Sequence, residues 1–423
     1  MLATMAQNAP PEFRLQAQEV DEMFRYDYIY NGYRKPNCSV RQAVSSVFWM
    51  TNETINFWTS FIPSLYFGMK VFQFGTDITF VKDDYHWPFM IYLITVFLWP
   101  LISSMAHLFN VLSPKASYMT YFCDYMTLSC HTFGIAVAYH AYSSDGAFAE
   151  SWFANAYPYI AFAIALAFTY MSCESWYSDS WGGTVRVFAF MMVYVSCAVP
   201  LVHRLIRRSV AGDALVANDP GINDPFAVTY HQRLLWSAVS GLIFYGLHVP
   251  ELFWPGKFDY MGNSHNIFHI FGSLASYYQL WAVHADMANR ESVLRQRIHD
   301  VLVRTDVNLA FLLLIADIAI VAFYCMIPGV ELHGRGRLGG QADTPFARRH
   351  VSITCLDQIA RIKRPLEAPE HGLIADLLWL DPDPRVKGNF CALTISKLGW
   401  CTKDTSLSPK EYYYTVETPP FPG

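Results

Sequence analysis

The chain repeatedly strings together about twenty mostly apolar residues, the length at which a helix crosses a hydrocarbon core of about 30 Å. Such runs, bounded by charges or by Pro and Gly, fall at 52–74, 88–110, 118–141, 155–173, 185–203, 233–250, 266–285 and 307–327. They predict an all-α polytopic membrane helix bundle of eight spans, or of seven plus one. The last run carries Asp317 at its middle, which is costly against lipid unless the carboxylate faces other helices or is protonated. Tryptophans flank the runs (Trp49 and Trp58, Trp87 and Trp99, Trp236 and Trp254) and read as interfacial anchors rather than ligand contacts.

Composition agrees with that reading. Hydrophobic residues make up 53% of the 423 and charged ones 15%, with a mean hydropathy of +0.19, too apolar for a soluble chain of this size. The net charge of -5 is dispersed and no basic stripe is present, so nucleic acid is not an expected partner. Among the nine cysteines, Cys123, Cys130, Cys173, Cys197 and Cys325 sit inside apolar runs and none forms a CxxC pair. They predict small buried hydrophobes, not a disulfide framework or a zinc ribbon. The polar stretch from Pro10 to Glu22 has no basic region leading into an apolar core. No cleavable signal peptide is therefore expected, and the first membrane helix is expected to serve as the targeting signal.

Loop charge does not orient the chain. Arg14, Arg25, Arg34, Lys35 and Arg41 precede the first span, while Arg204, Arg207, Arg208, Arg290, Arg295, Arg297 and Arg304 fill loops expected on the opposite side. From Pro328 the composition turns to Gly, Arg, Asp and Pro, which marks a domain boundary. No internal repeat is visible.

Ionisable groups within spans are expensive, and five residues converge. Ser103 and His107 stand four apart on the second span, Asp124 opens the third, and His265 and His269 stand four apart entering the seventh. A spacing of four puts each pair on one helix face. Parity puts all of them at one depth, because the second span ends where the third and the seventh begin. Three neutral imidazoles with an open fourth position make a zinc site of the catalytic or ligand-accepting kind. Asp124 and Ser103 then read as groups orienting an imidazole or a bound water. With Asp124 as proton acceptor, such a site suits cleavage of a lipid amide or ester. The plain alternatives are a helix-to-helix hydrogen bond for Asp124 and a bond from Ser103 to its own helix. Asn266 follows His265, so the protease pattern HExxH is absent. The scattered His131, His140, His203, His248 and His284 read as packing or interface residues. No Asp/Glu-Arg-Tyr end follows the third span and no Asn-Pro-x-x-Tyr block the seventh, which weighs against a rhodopsin-like receptor. A transporter is disfavoured because no pair of broken spans recurs in matching halves.

At these residues, and from about Tyr26 to Leu280, the sequence resembles the progestin and adipoQ receptor family. The blocks arrive in order: Tyr33-Arg34, Phe48 through Thr59, Ser103 through His107 with Phe109, Tyr121 through Tyr125, then Pro250-Glu251 and Pro255 through His265. The Met50-Thr51-Asn52-Glu53-Thr54 and Pro255-Gly256-Lys257-Phe258-Asp259-Tyr260 stretches resemble the membrane progestin receptor branch, most nearly its gamma type, and the eighth span fits that branch. The resemblance implies a receptor for progestin-like steroids or related lipids in the plasma membrane, signalling through G proteins. It also implies an N-terminus inside the cell and a zinc ion held by His107, His265 and His269, with Asp124 and Ser103 around it. Alkaline ceramidases have a similar Ser/His/Asp/His-His set, which leaves a zinc-dependent lipid amide hydrolase as the alternative and a structural-zinc scaffold as a second. The sequence departs from the family at Ser60 and Asn263, where histidine is usual or frequent. The formal glycosylation sequons at Asn37 and Asn52 would face the cytoplasm and are expected to be unused.

The expected organisation is an N-terminal cytoplasmic segment at 1–48, a seven-helix receptor-like domain at 49–286, a loop with the eighth span at 287–327, and a tail at 328–423. Within the tail, about 351–388 (Cys355 to Pro365, Gly372 to Pro382) resembles a fragment of PPP-type serine/threonine phosphatases such as protein phosphatase 1. The metal-binding blocks of that family are absent, so phosphatase activity is not expected. A fused gene model is its simplest source, and a fragment without its sheet partners is expected to fold poorly.

Overall fold

The computed structural model describes residues 9–177, 182–211, 219–298 and 300–326. The tail and its phosphatase-like stretch lie outside the described residues. Nine helices of thirteen residues or more account for most of them: α1 (Thr54–Gly75), α2 (Trp87–Phe109), α3 (Pro114–Ala138), α4 (Trp152–Glu174), α5 (Gly182–Cys197), α6 (Val199–Ala211), α7 (Pro225–Leu247), α8 (Ser264–Asn289) and α9 (Asp300–Met326). Among the described residues the fold is all-helical, apart from one isolated antiparallel bridge between Leu15 and Tyr33.

A helix stands at each predicted span, with local chemistry marking the ends. Ser113, Ser151 and Asp224 cap α3, α4 and α7 by accepting from the backbone N–H of Ala116, Ala154 and Ala227. Pro114 and Pro225 open their helices, where a missing N–H costs nothing. By length and hydropathy alone, three helices among the described residues qualify to cross a membrane (Asp84–Phe109, Trp152–Glu174 and Val303–Met326), or four if the bent pair α5/α6 counts as one span. Polar residues such as Asn56, Ser60 and Ser64 on α1, and Asn266, His269, Ser276 and Gln279 on α8, are buried against neighbouring helices. They lower the mean hydropathy of those helices.

The fifth predicted span is not one straight helix. It bends by 57° between α5 and α6, because Pro200 has no N–H and its ring collides with the carbonyl one turn back. Tyr157 Oη donates to the carbonyls so exposed, at 2.9 Å to Ser196 and 3.1 Å to Cys197. The sixth run also begins earlier than expected, at Pro225, because the polar His231 is buried inside the bundle rather than lying in a loop.

In the bundle α7 packs on α8, α8 on α1, α1 on α2, α2 on α3 and α3 on α4, while α9 packs against α3 and α4. Two of the arginines assigned to loops are in fact buried at the end where α8 finishes. Arg204 donates to Asp286 at 2.7 Å, and Asp286 also receives Ser143 at 2.7 Å and lies 2.8 Å from His231 Nε2. Arg290 pairs with Asp219 at 2.6 Å and reaches the carbonyl of Ser144 at 2.8 Å.

Candidate metal centre

At the other end of the bundle, two helices deliver the predicted histidines. His107 lies in the last turn of α2, and Arg34 of the N-terminal segment secures that turn by donating to the carbonyls of His107 at 2.7 Å and Leu108 at 3.0 Å. His265 and His269 lie in the first turns of α8. Asn263 caps that helix by accepting from Asn266 N, and Glu251 accepts from Ser264 N at 2.7 Å. Asn263, where the resemblance leads one to expect histidine, thus serves as the helix cap.

The three imidazoles converge, each offering a ligand atom, with all three atoms within 4.8 Å of one another. His265 Nε2 and His107 Nε2 stand 3.3 Å apart. Two nitrogens on one tetrahedral zinc, at about 2.0–2.1 Å each, would be separated by about 3.3 Å. The far sides of two rings are engaged. His107 Nδ1 is 2.8 Å from Glu53 Oε2. His269 Nδ1 is 2.9 Å from Ser60 Oγ, 3.2 Å from the Asn56 carbonyl and 3.3 Å from Thr59 Oγ1. A carboxylate and a carbonyl accept, so both Nδ1 atoms carry the hydrogen and both Nε2 lone pairs are left for a metal. The donor set therefore fits zinc.

Sequence reasoning missed Glu53 and the role of Ser60. Glu53 also accepts from Asn56 Nδ2 and Asn110 Nδ2, each at 2.9 Å, and from Tyr26 Oη. Its one signal was an acid placed at the edge of an apolar run. Asp124 and Ser103 lie where expected, on α3 and α2, but they bond to each other, Ser103 Oγ donating to Asp124 Oδ2 at 3.3 Å. Asp124 Oδ1 has no partner among the described residues. The partner of the His107 imidazole is Glu53, and among the described residues no hydrogen bond joins Asp124 to an imidazole.

Loops close over this end. Asp259 accepts from Tyr30 N at 3.0 Å and Asn31 Nδ2 at 2.8 Å, joining the N-terminal segment to the loop before α8; burial raises its carboxyl above the usual range. Gly32 is required here, since its φ is +84° and an added Cβ would lie 2.6 Å from the Tyr260 ring. Asn52 is buried in the folded chain, at 4% exposure.

Among the other histidines, His131 stacks on Trp99 with centroids 5.5 Å apart, His284 lies against Phe74 and Phe89, and His203 pairs with Asp145 at 3.2 Å. Among the described residues the cysteines are all free.

Residues 48–280 match the family described as haemolysin-III related. Over 286 residues the chain is 34% identical to human membrane progestin receptor delta, covering 66% of this chain and 80% of that one. It is 32% identical over 278 residues to human membrane progestin receptor gamma (64% and 81%), and 29% identical over 327 residues to zebrafish membrane progestin receptor gamma-A (73% and 92%). Gamma and delta relatives are thus about equally similar.

Proposed function

Because this chain belongs to the haemolysin-III-related family, we propose that it is a plasma-membrane receptor for progestin-like steroids or related lipids, with zinc held by His107, His265 and His269. The observation that carries the reading is the convergence of three imidazoles, two of them buried and turned by partners on their outer nitrogens. The names of its relatives supply the ligand class. When bound, zinc would supply a positive centre with one open position.

The protein's own residues shape the rest. A small apolar cavity of about 30 Å³ is lined by Phe190, Leu242, Tyr245 and Phe268 among others, from α5, α7 and α8. Tyr245 and Phe268 stand against the His265 ring, with centroids 5.6 and 6.4 Å away. An apolar group reaching this cavity would stand one ring away from His265. The seven family helices and α9 cross the membrane in this reading, with the N-terminus and the histidines on the cytoplasmic side, where a G protein would couple.

The test is metal analysis and steroid binding on one detergent-purified sample beside His265→Ala/His269→Ala. Near-stoichiometric zinc and saturable progestin-like binding, both lost in the variant, are expected. A folded wild type without zinc would overturn the proposal.

The second reading, a zinc-dependent lipid amide hydrolase, is favoured by one observation: the unpartnered Oδ1 of Asp124, available to take a proton. Asp124→Ala should abolish ceramide turnover if this is an enzyme, and leave steroid binding largely intact if it is a receptor.

A further inference from the structure

We infer that Asp317 on α9, together with Ser129 of α3 and Thr169 of α4, binds a small monovalent cation at a site separate from the histidine cluster. All three side chains are fully buried, at 0% exposure. The hydroxyls of Ser129 and Thr169 and the thiol of Cys130 neighbour the Asp317 carboxylate, and among the described residues no Lys, Arg or His acts on it. Cys130 Sγ lies 3.9 Å from Oδ2. Asp317 Oδ1 and Thr169 Oγ1 each lack a hydrogen-bond partner among the described residues. Ser129 gives its hydroxyl hydrogen to the Ala165 carbonyl at 2.8 Å, so it turns lone pairs, not a donor, to its surroundings.

A carboxylate oxygen and two hydroxyl oxygens form a hard donor set, suited to alkali or alkaline-earth ions rather than to zinc or copper. Charge then selects among the hard ions. One carboxylate neutralises a single positive charge, whereas a divalent ion would leave an uncompensated charge in an apolar interior. A proton on Asp317 would satisfy one hydroxyl at most, while a cation would gather the three oxygens at once. Asp306, three turns earlier on the same helix, is also a buried carboxylate, and neither of its oxygens has a hydrogen-bond partner among the described residues. It is the natural control.

The test is thermal unfolding of the purified full chain, with sodium chloride titrated against choline chloride at constant ionic strength. The wild type and Asp306→Asn should show a saturable rise in Tm with sodium, and Asp317→Asn none. Thr169→Val should raise the half-saturating sodium concentration about tenfold, as expected for loss of one ligand worth about 1.4 kcal/mol. A Tm that follows total salt alone, a sodium response that survives Asp317→Asn, or stabilisation by acid without any sodium response would each overturn the site. If Asp317→Asn does not fold, Thr169→Val and Ser129→Ala decide the matter: unchanged half-saturation in both overturns it. Zinc content should be unchanged in every variant, which keeps this test independent of the receptor reading.

Discussion

The orientation of His107 depends on Glu53, which stands 54 positions away in sequence and 2.8 Å away in space. Glu53→Gln removes the charge that polarises the imidazole, so zinc affinity measured by chelator competition should fall about 10- to 100-fold. Ser60→Ala should do less, because the Asn56 carbonyl still receives the His269 Nδ1 hydrogen. Asp124→Asn should keep its zinc, since among the described residues its carboxylate hydrogen-bonds to Ser103 alone; loss of metal there would mean the carboxylate acts on the ion after all. The histidines were legible because spacing of four is a property of one helix. The Glu53–His107 contact was not, because it forms between α2 and the residue just before α1.

Individual helices were legible to within a few residues at most ends, since apolar runs and capping residues are local signals. The break between α5 and α6 was hidden, although Pro200 was in view, because a proline in a membrane helix is tolerated when another group takes the freed carbonyls. Tyr157 takes them here. Tyr157→Phe should lower stability by about 1–3 kcal/mol, the cost of leaving buried acceptors unpaired, read as a drop in detergent Tm. An unchanged Tm would mean that water or lipid replaces the hydroxyl.

Across the molecule, the two polar centres lie at opposite ends of α8. Asp286→Asn should destabilise the bundle by about 3–5 kcal/mol, because Arg204 is left as an uncompensated buried charge, yet zinc content should hold in whatever protein remains folded. At the surface, Arg295 donates to Asp83 at 3.1 Å and holds its carboxyl below the usual range. The tie therefore stabilises fully above the unfolded value of about 3.9 and is lost as pH falls through the depressed folded value. The Tm gap between wild type and Asp83→Asn should narrow on acidification below about pH 4, and a gap that stays constant would count against the tie. Hydropathy and spacing determined the helical class, the helix positions and which three histidines converge, because each is a pattern within a single segment. Only the tertiary structure decided that Glu53 orients His107, that Arg204 and Arg290 are core rather than loop charges, and that Asp317 faces hydroxyls instead of lipid. Those facts rest on contacts between helices far apart in sequence, which no local pattern records.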